Sequence, residues 1–156
     1  MKKAIYFDMD GTIANLYAVK NWLPMLRASN PAPYKQAKVM LNMNLLARTL
    51  NKLQKQGYHI GIISWLSKQS TTEYDKQVTQ AKKEWLGKHL KSVAFNEIKI
   101  VPYGTPKSQV AQYKQGILFD DECNNRQEWK GKAYAEKNIL KILYELAATP
   151  SKHLTK

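Results

Sequence analysis

The chain repeats one pattern. A short apolar run, able to form a buried strand, stops at residues carrying charge or a hydroxyl, and a helical stretch follows. The first run, Ala4-Ile5-Tyr6-Phe7, ends on Asp8-Met9-Asp10-Gly11-Thr12. The second is Tyr58 to Ser64, the third Ile98 to Val101, and the fourth, Ile117-Leu118-Phe119, ends on Asp120-Asp121-Glu122. Ala133-Tyr134 reads as a short fifth strand. Strands alternating with helices imply right-handed crossovers and a parallel sheet covered on both faces. The expected fold class is therefore α/β, a doubly wound parallel sheet of about five strands. Ligands of such sheets bind beyond the carboxyl ends of the strands. That is where the acids fall.

Between the strands, Asn21 to Leu26 reads as a short helix and Asn30-Pro31-Ala32-Pro33 as a break. Tyr34 to Gln56 has helical spacing, with Val39, Leu41, Met43, Leu45, Leu46, Leu50 and Leu53, and Gly57 is placed to end it. A further helix is expected over Thr71 to His89, and a last one over Glu136 to Ala148. Thr105-Pro106-Lys107 has helix-start chemistry, a capping hydroxyl followed by proline. The stretch after the first strand is too long for one crossover, so part of it is read as a small helical cap. The expected division is an α/β core over 1–13 and 57–150, a cap over 14–56 and a tail over 151–156.

Charge narrows the function. There are 25 Lys and Arg against 12 Asp and Glu, a net charge of +13. Five of the acids, Asp8, Asp10, Asp120, Asp121 and Glu122, sit at two strand ends, and from Gly11 to Thr72 there is no acid at all. A basic surface around an acidic pocket attracts anions, nucleotides or nucleic-acid ends among them. No run approaches the roughly 18 apolar residues of a membrane span. The apolar run behind Met1-Lys2-Lys3 is too short for an export signal. The single cysteine, Cys123, offers neither an internal disulfide nor a cysteine-based zinc site, and fits a cytoplasmic protein.

A doubly wound sheet would gather four strand ends. They bring Asp8, Asp10 and Thr12 from the first, Ser64 from the second, Lys107 from the loop after the third, and Asp120 and Asp121 from the fourth. Phosphate-ester hydrolysis asks for this set. A carboxylate attacks phosphorus and divides one hard step into two. A second acid moves protons, while a hydroxyl and a lysine hold phosphoryl oxygens as charge develops. Adjacent carboxylates call for a cation, and hard oxygen donors favour Mg²⁺. Taken alone, Asp-x-Asp-Gly-Thr also fits a calcium-type loop or a plain turn. Lys107 at a helix start opposes the helix dipole unless an anion is near, which favours an active-site role.

Asp8-Met9-Asp10-Gly11-Thr12 resembles the DxDG(T/V) signature of the haloacid dehalogenase (HAD) superfamily. Ser64, Lys107 and Asp120-Asp121 follow in the order of its remaining motifs. The helical insert and the Asp-Asp ending are similar to the pyrimidine 5′(3′)-deoxyribonucleotidase branch, including small members encoded by bacteriophages. The resemblance implies a Rossmann-like core and a Mg²⁺-dependent phosphatase. Asp8 would be nucleophile and metal ligand. Asp10 would be general acid/base, with its carbonyl on the metal. Thr12 would orient the Asp10 region, and Thr12, Ser64 and Lys107 make up the phosphate-binding set. Asp121 would be a direct ligand, with Asp120 nearby or acting through water. Ser64-Trp65-Leu66-Ser67 departs from the Thr-Ser pattern of that branch, so no base or sugar preference carries over.

In the cap, Trp22, Arg27 and Tyr34 are candidate substrate contacts, with Met25 and Met43 beside them. Arg126 is a weaker phosphate candidate, Trp129 a core residue and Cys123 a structural one. The expected substrate is a nucleoside 5′- or 3′-monophosphate. The alternative is a nucleic-acid-binding or end-processing protein that uses the basic surface.

Overall fold

The computed structural model describes residues 2–68 and 70–149, so the expected tail at 151–156 lies outside the described residues. In chain order the strands are β1 (Ala4–Phe7), β2 (Ala14–Asn15), β3 (Lys38–Val39), β4 (His59–Trp65), β5 (Glu97–Val101), β6 (Ile117–Phe119) and β7 (Ala133–Tyr134). The helices are α1 (Trp22–Arg27), α2 (Ala32–Gln36), α3 (Met43–Lys55), α4 (Thr72–His89), α5 (Lys107–Val110), α6 (Cys123–Glu128) and α7 (Ile139–Ala148). Five strands form one sheet in the order β5-β4-β1-β6-β7, and every neighbouring pair is parallel. The chain therefore starts at the sheet's centre and winds outward both ways, which leaves the end of β1 at the switch point.

Side chains alternate across β1. Ile5 and Phe7 join Ile60, Ile62 and Phe119 beneath α3, α4 and α7, with Leu46, Leu50, Leu53, Trp85 and Leu143. Ala4 and Tyr6 face the other way, against Ile63, Leu118, Ala111 and Trp129. Trp129 is thus a core residue, and its indole N–H donates to the Gly116 carbonyl at 2.7 Å. A third cluster of Leu16, Tyr34, Leu66, Tyr74, Val78 and Ala81, joined by Trp22 and Leu26, fastens the insert to the loop after β4 and to α4.

The insert differs from the single helix expected over Tyr34 to Gln56. Helix α2 ends at Gln36, Lys38 and Val39 pair antiparallel with Asn15 and Ala14, and α3 restarts at Met43. Tertiary partners override helical spacing at the break. The Ala37 carbonyl accepts from the Trp85 indole at 2.7 Å, and Asn42 caps α3 by accepting from the Leu45 amide at 3.0 Å. Helix α3 then buries Leu46, Leu50 and Leu53 in the main core, each contributing about 1.5–3 kcal/mol. The part of the insert lying over the strand ends is accordingly the stretch before α3. At α5 the Thr105 hydroxyl donates to the Pro102 carbonyl rather than capping, and Pro106 occupies the N-cap.

Candidate active site

The turn after β1 is built to crowd charge. Three amides, those of Thr12, Ile13 and Ala14, converge on the Met9 carbonyl, and Gly11 adopts φ +82°. A Cβ on Gly11 would fall 2.8 Å from both Asp121 Cγ and Tyr17 Cε2, so only glycine lets the acid and the ring approach this backbone. Asp8 emerges at the end of β1. Its Oδ1 accepts from Lys107 Nζ at 2.8 Å, and its Oδ2 accepts from the Thr12 hydroxyl at 2.9 Å.

The Asp120-Asp121 pair divides its work. Asp120 is enclosed, and its carboxylate accepts from Lys107 Nζ (2.7 Å), Asn125 Nδ2 (3.1 Å) and the Glu122 amide (3.0 Å). Asp121 lines the cavity above, and its carboxylate shares with Asp8 the single hydrogen of the Thr12 hydroxyl, 3.2 Å away. Thr12 is itself buried between the carboxylates of Asp8 and Asp121 and accepts from the Asp121 amide at 3.1 Å. It braces the acids and does not line the cavity. Arg126 spends its guanidinium on the Asp120 carbonyl at 2.9 Å, not on a phosphate position.

Lys82 escaped the sequence reading. It lies in α4, its side chain is 1 % exposed, and its Nζ donates to Asp10 Oδ2 (2.8 Å), Ser64 Oγ (2.6 Å) and the Trp65 carbonyl (2.7 Å). All three ammonium hydrogens are used. The head also sits 4.9 Å from the centre of the Tyr34 ring. The signal was positional: α4 buries Tyr74, Val78, Ala81, Trp85 and Leu86, and Lys82 falls on that same stripe. An ammonium cannot accept, so Ser64 Oγ must, and the serine proton is left to donate elsewhere. Ser64 is fully buried and does not line the cavity; Ser67 does.

When ionised, the four carboxylates (Asp8, Asp10, Asp120, Asp121) outnumber the two ammonium groups they meet (Lys82, Lys107) by two negative charges, 4 − 2. Burial foremost, then Asp8, raises Asp120 to about 6 and Asp121 to about 8. Asp10 is also raised, by burial above all, with Lys82 opposing. Burial lowers Lys107, but Asp8 and Asp120 outweigh it and the net shift is upward. Oxygens of Asp8, Asp120 and Asp121 come within 4.8 Å of one another. A hard-oxygen set with two uncompensated charges fits one divalent cation such as Mg²⁺.

Above the acids lies a cavity of about 730 Å³. Asp8, Asp10 and Asp121 reach it from the strand ends, and Trp22, Arg27 and Tyr34 from the insert. Trp65, Leu66, Ser67 and Lys68 come from the end of β4 and beyond. Met25 and Met43, expected beside the insert's contacts, do not line it.

A parallel sheet with carboxylates at its switch point and an insert over them defines the class of this protein as a doubly wound α/β fold. No protein-family model and no curated protein sequence matches the chain. Among solved structures it is similar to D,D-heptose 1,7-bisphosphate phosphatase from Burkholderia thailandensis, at 13 % identity and TM-score 0.56, over 95 % of this chain and 100 % of that one. It also aligns with the HAD domain of effector protein Lem4 from Legionella pneumophila, at 15 % identity and TM-score 0.40, over 95 % and 98 % of the two chains. The first likeness establishes the shared fold. Among the described residues, no helix is long and apolar enough to cross a membrane.

Proposed function

We propose that this protein is a Mg²⁺-dependent phosphatase that hydrolyses a phosphate monoester through an aspartyl-phosphate on Asp8, most simply a nucleoside 5′- or 3′-monophosphate. One observation carries the reading: Asp8 is anchored through Lys107 and Thr12 at the floor of a cavity, with Asp10 two residues on. In the first step an Asp8 oxygen bonds to phosphorus, the bond to the leaving oxygen breaks, and Asp10 gives that oxygen a proton. In the second, water attacks the phosphoryl group, Asp10 takes back a proton, and Asp8 is released. Lys107 holds Asp8 and neutralises charge beside it.

Asp8 and Asp121, with Asp120 behind them and the Asp10 carbonyl beside them, would hold Mg²⁺. The bound ion would supply positive charge next to the transferring group. Tyr17, Trp22, Trp65 and Tyr103 line the cavity and give an organic substituent apolar contact, which supports a nucleotide over a smaller ester. The test is phosphate release from a nucleotide panel with Mg²⁺, comparing wild type with Asp8→Asn. Release by the wild type alone supports the reading, and equal rates dismiss it. The second reading, binding of nucleic acid through the +13 charge, calls for affinity that collapses with salt and survives Asp8→Asn.

A further inference from the structure

The cavity's charges are segregated. Its acids, Asp8, Asp10, Asp121 and Glu122, follow β1 and β6, whereas its cations, Arg27 and Lys68, come from the end of α1 and the loop after β4. Those two segments pack together. Leu26 joins the cluster that contains Leu66 and Tyr74, and the Tyr74 hydroxyl donates to the Asn30 carbonyl at 3.2 Å. Among the described residues, neither Arg27 nor Lys68 forms an ion pair. A helix C-terminus favours an arginine on its own account. It does not turn that arginine into a cavity, and it says nothing of Lys68.

Lys107 sits behind Asp8, bonded to it and to Asp120, and the proposed cation would lie beside them. Arg27 and Lys68, which line the cavity, have no partner in that chemistry. Two aromatic pairs also line the cavity, Tyr17 with Trp22 and Trp65 with Tyr103, each with ring centres 5.0 Å apart. The cavity thus offers carboxylates from the strand ends, aromatic rings and two cations from other segments.

We infer that Arg27 and Lys68 bind a second phosphate of the substrate, separated by its organic body from the phosphate at Asp8. The substrate class is a nucleotide carrying two phosphates. The second is either another monoester, as in a nucleoside 3′,5′-bisphosphate, or the diester that begins a strand. The inference rests on the reading of Asp8 as the site of phosphoryl transfer. A planar guanidinium takes two phosphate oxygens and the ammonium a third.

Binding tests this without turnover. Asp8→Asn protein with Mg²⁺ is titrated, by tryptophan fluorescence, with a nucleoside 5′-monophosphate, its 3′,5′-bisphosphate and a 5′-phosphorylated dinucleotide. At least one of the last two is expected to bind about ten-fold tighter than the monophosphate, or better. Adding Arg27→Ala and Lys68→Ala brings that ratio near one. Adding Lys52→Ala and Lys55→Ala, on α3 and away from the cavity, leaves it intact. A gain confined to the bisphosphate assigns a second monoester, and an equal or larger gain for the dinucleotide assigns a strand end. Equal affinity for all three ligands, or a ratio that survives the double substitution, overturns the inference. Failure of the phosphatase reading shows separately, as a wild type that releases phosphate from none of the three.

Discussion

Lys107→Met removes the ammonium that bridges Asp8 and Asp120 and keeps most of the side chain's volume. Nζ lies 2.8 Å from Asp8 Oδ1 and 2.7 Å from Asp120 Oδ2, and the side chains of Lys107 and Asp120 are 1 % and 0 % exposed. Water has little access to replace the lost partner, and breaking a buried pair in this way costs about 3–5 kcal/mol. A proton offers partial relief. Asp120 is already raised to about 6 by burial and by Asp8, with Lys107 pulling against them. Without Lys107 the carboxyl rises further. An acid whose folded pKa exceeds its unfolded one stabilises the fold when protonated and loses that contribution as pH rises through the folded value. The penalty should therefore be full near pH 8 and shrink towards about pH 5.5. For a chain of this size each kcal/mol moves Tm by about 2–4 °C, so the expected loss near pH 8 is about 6–20 °C. Thermal unfolding in chelator, followed by circular dichroism at both pH values, measures it. A loss below about 2 °C near pH 8, or one just as large near pH 5.5, refutes the reasoning.

Three further outcomes are expected. Because Asp120 and Asp121 are raised above the ordinary carboxylate value, metal-free protein should melt at higher temperature near pH 5.5 than near pH 8, and Mg²⁺ should raise Tm more at the higher pH; the opposite order contradicts the charge excess. Gly11→Ala, forced into φ +82° and against Asp121 and Tyr17, should cost more than about 1 kcal/mol in denaturant unfolding and lower phosphatase activity further still. Lys82→Met should reduce kcat more than it raises KM, because it frees Asp10 and Ser64. A cycle with Asp10→Asn should show strong non-additivity, and additive losses would detach Lys82 from Asp10.

Local signals sufficed where strand and chemistry coincide. Ala4 to Phe7 and Ile117 to Phe119 are apolar on both faces because helices cover both sides of the sheet, so their ends, and the acids there, could be located from spacing alone. The insert was harder, because its break depends on partners far along the chain. The Trp85 indole holds the Ala37 carbonyl, and β3 needs β2. The direction of a side chain was equally hidden. Thr12 and Ser64 are hydroxyls at strand ends, but one braces carboxylates and the other is claimed by Lys82. Lys82 looked like any solvated helix lysine until Asp10 was placed opposite it.

The central claim is that Asp8 carries the phosphoryl group. Wild-type protein is mixed with a nucleotide substrate and Mg²⁺, quenched in acid within a turnover, digested and analysed by mass spectrometry. The account expects one phosphoryl group on the peptide containing Asp8, lost on treatment with hydroxylamine and absent from Asp8→Asn protein. Turnover by Asp8→Asn protein at the wild-type rate, or a phosphoryl group that forms at the catalytic rate on another residue, would contradict it.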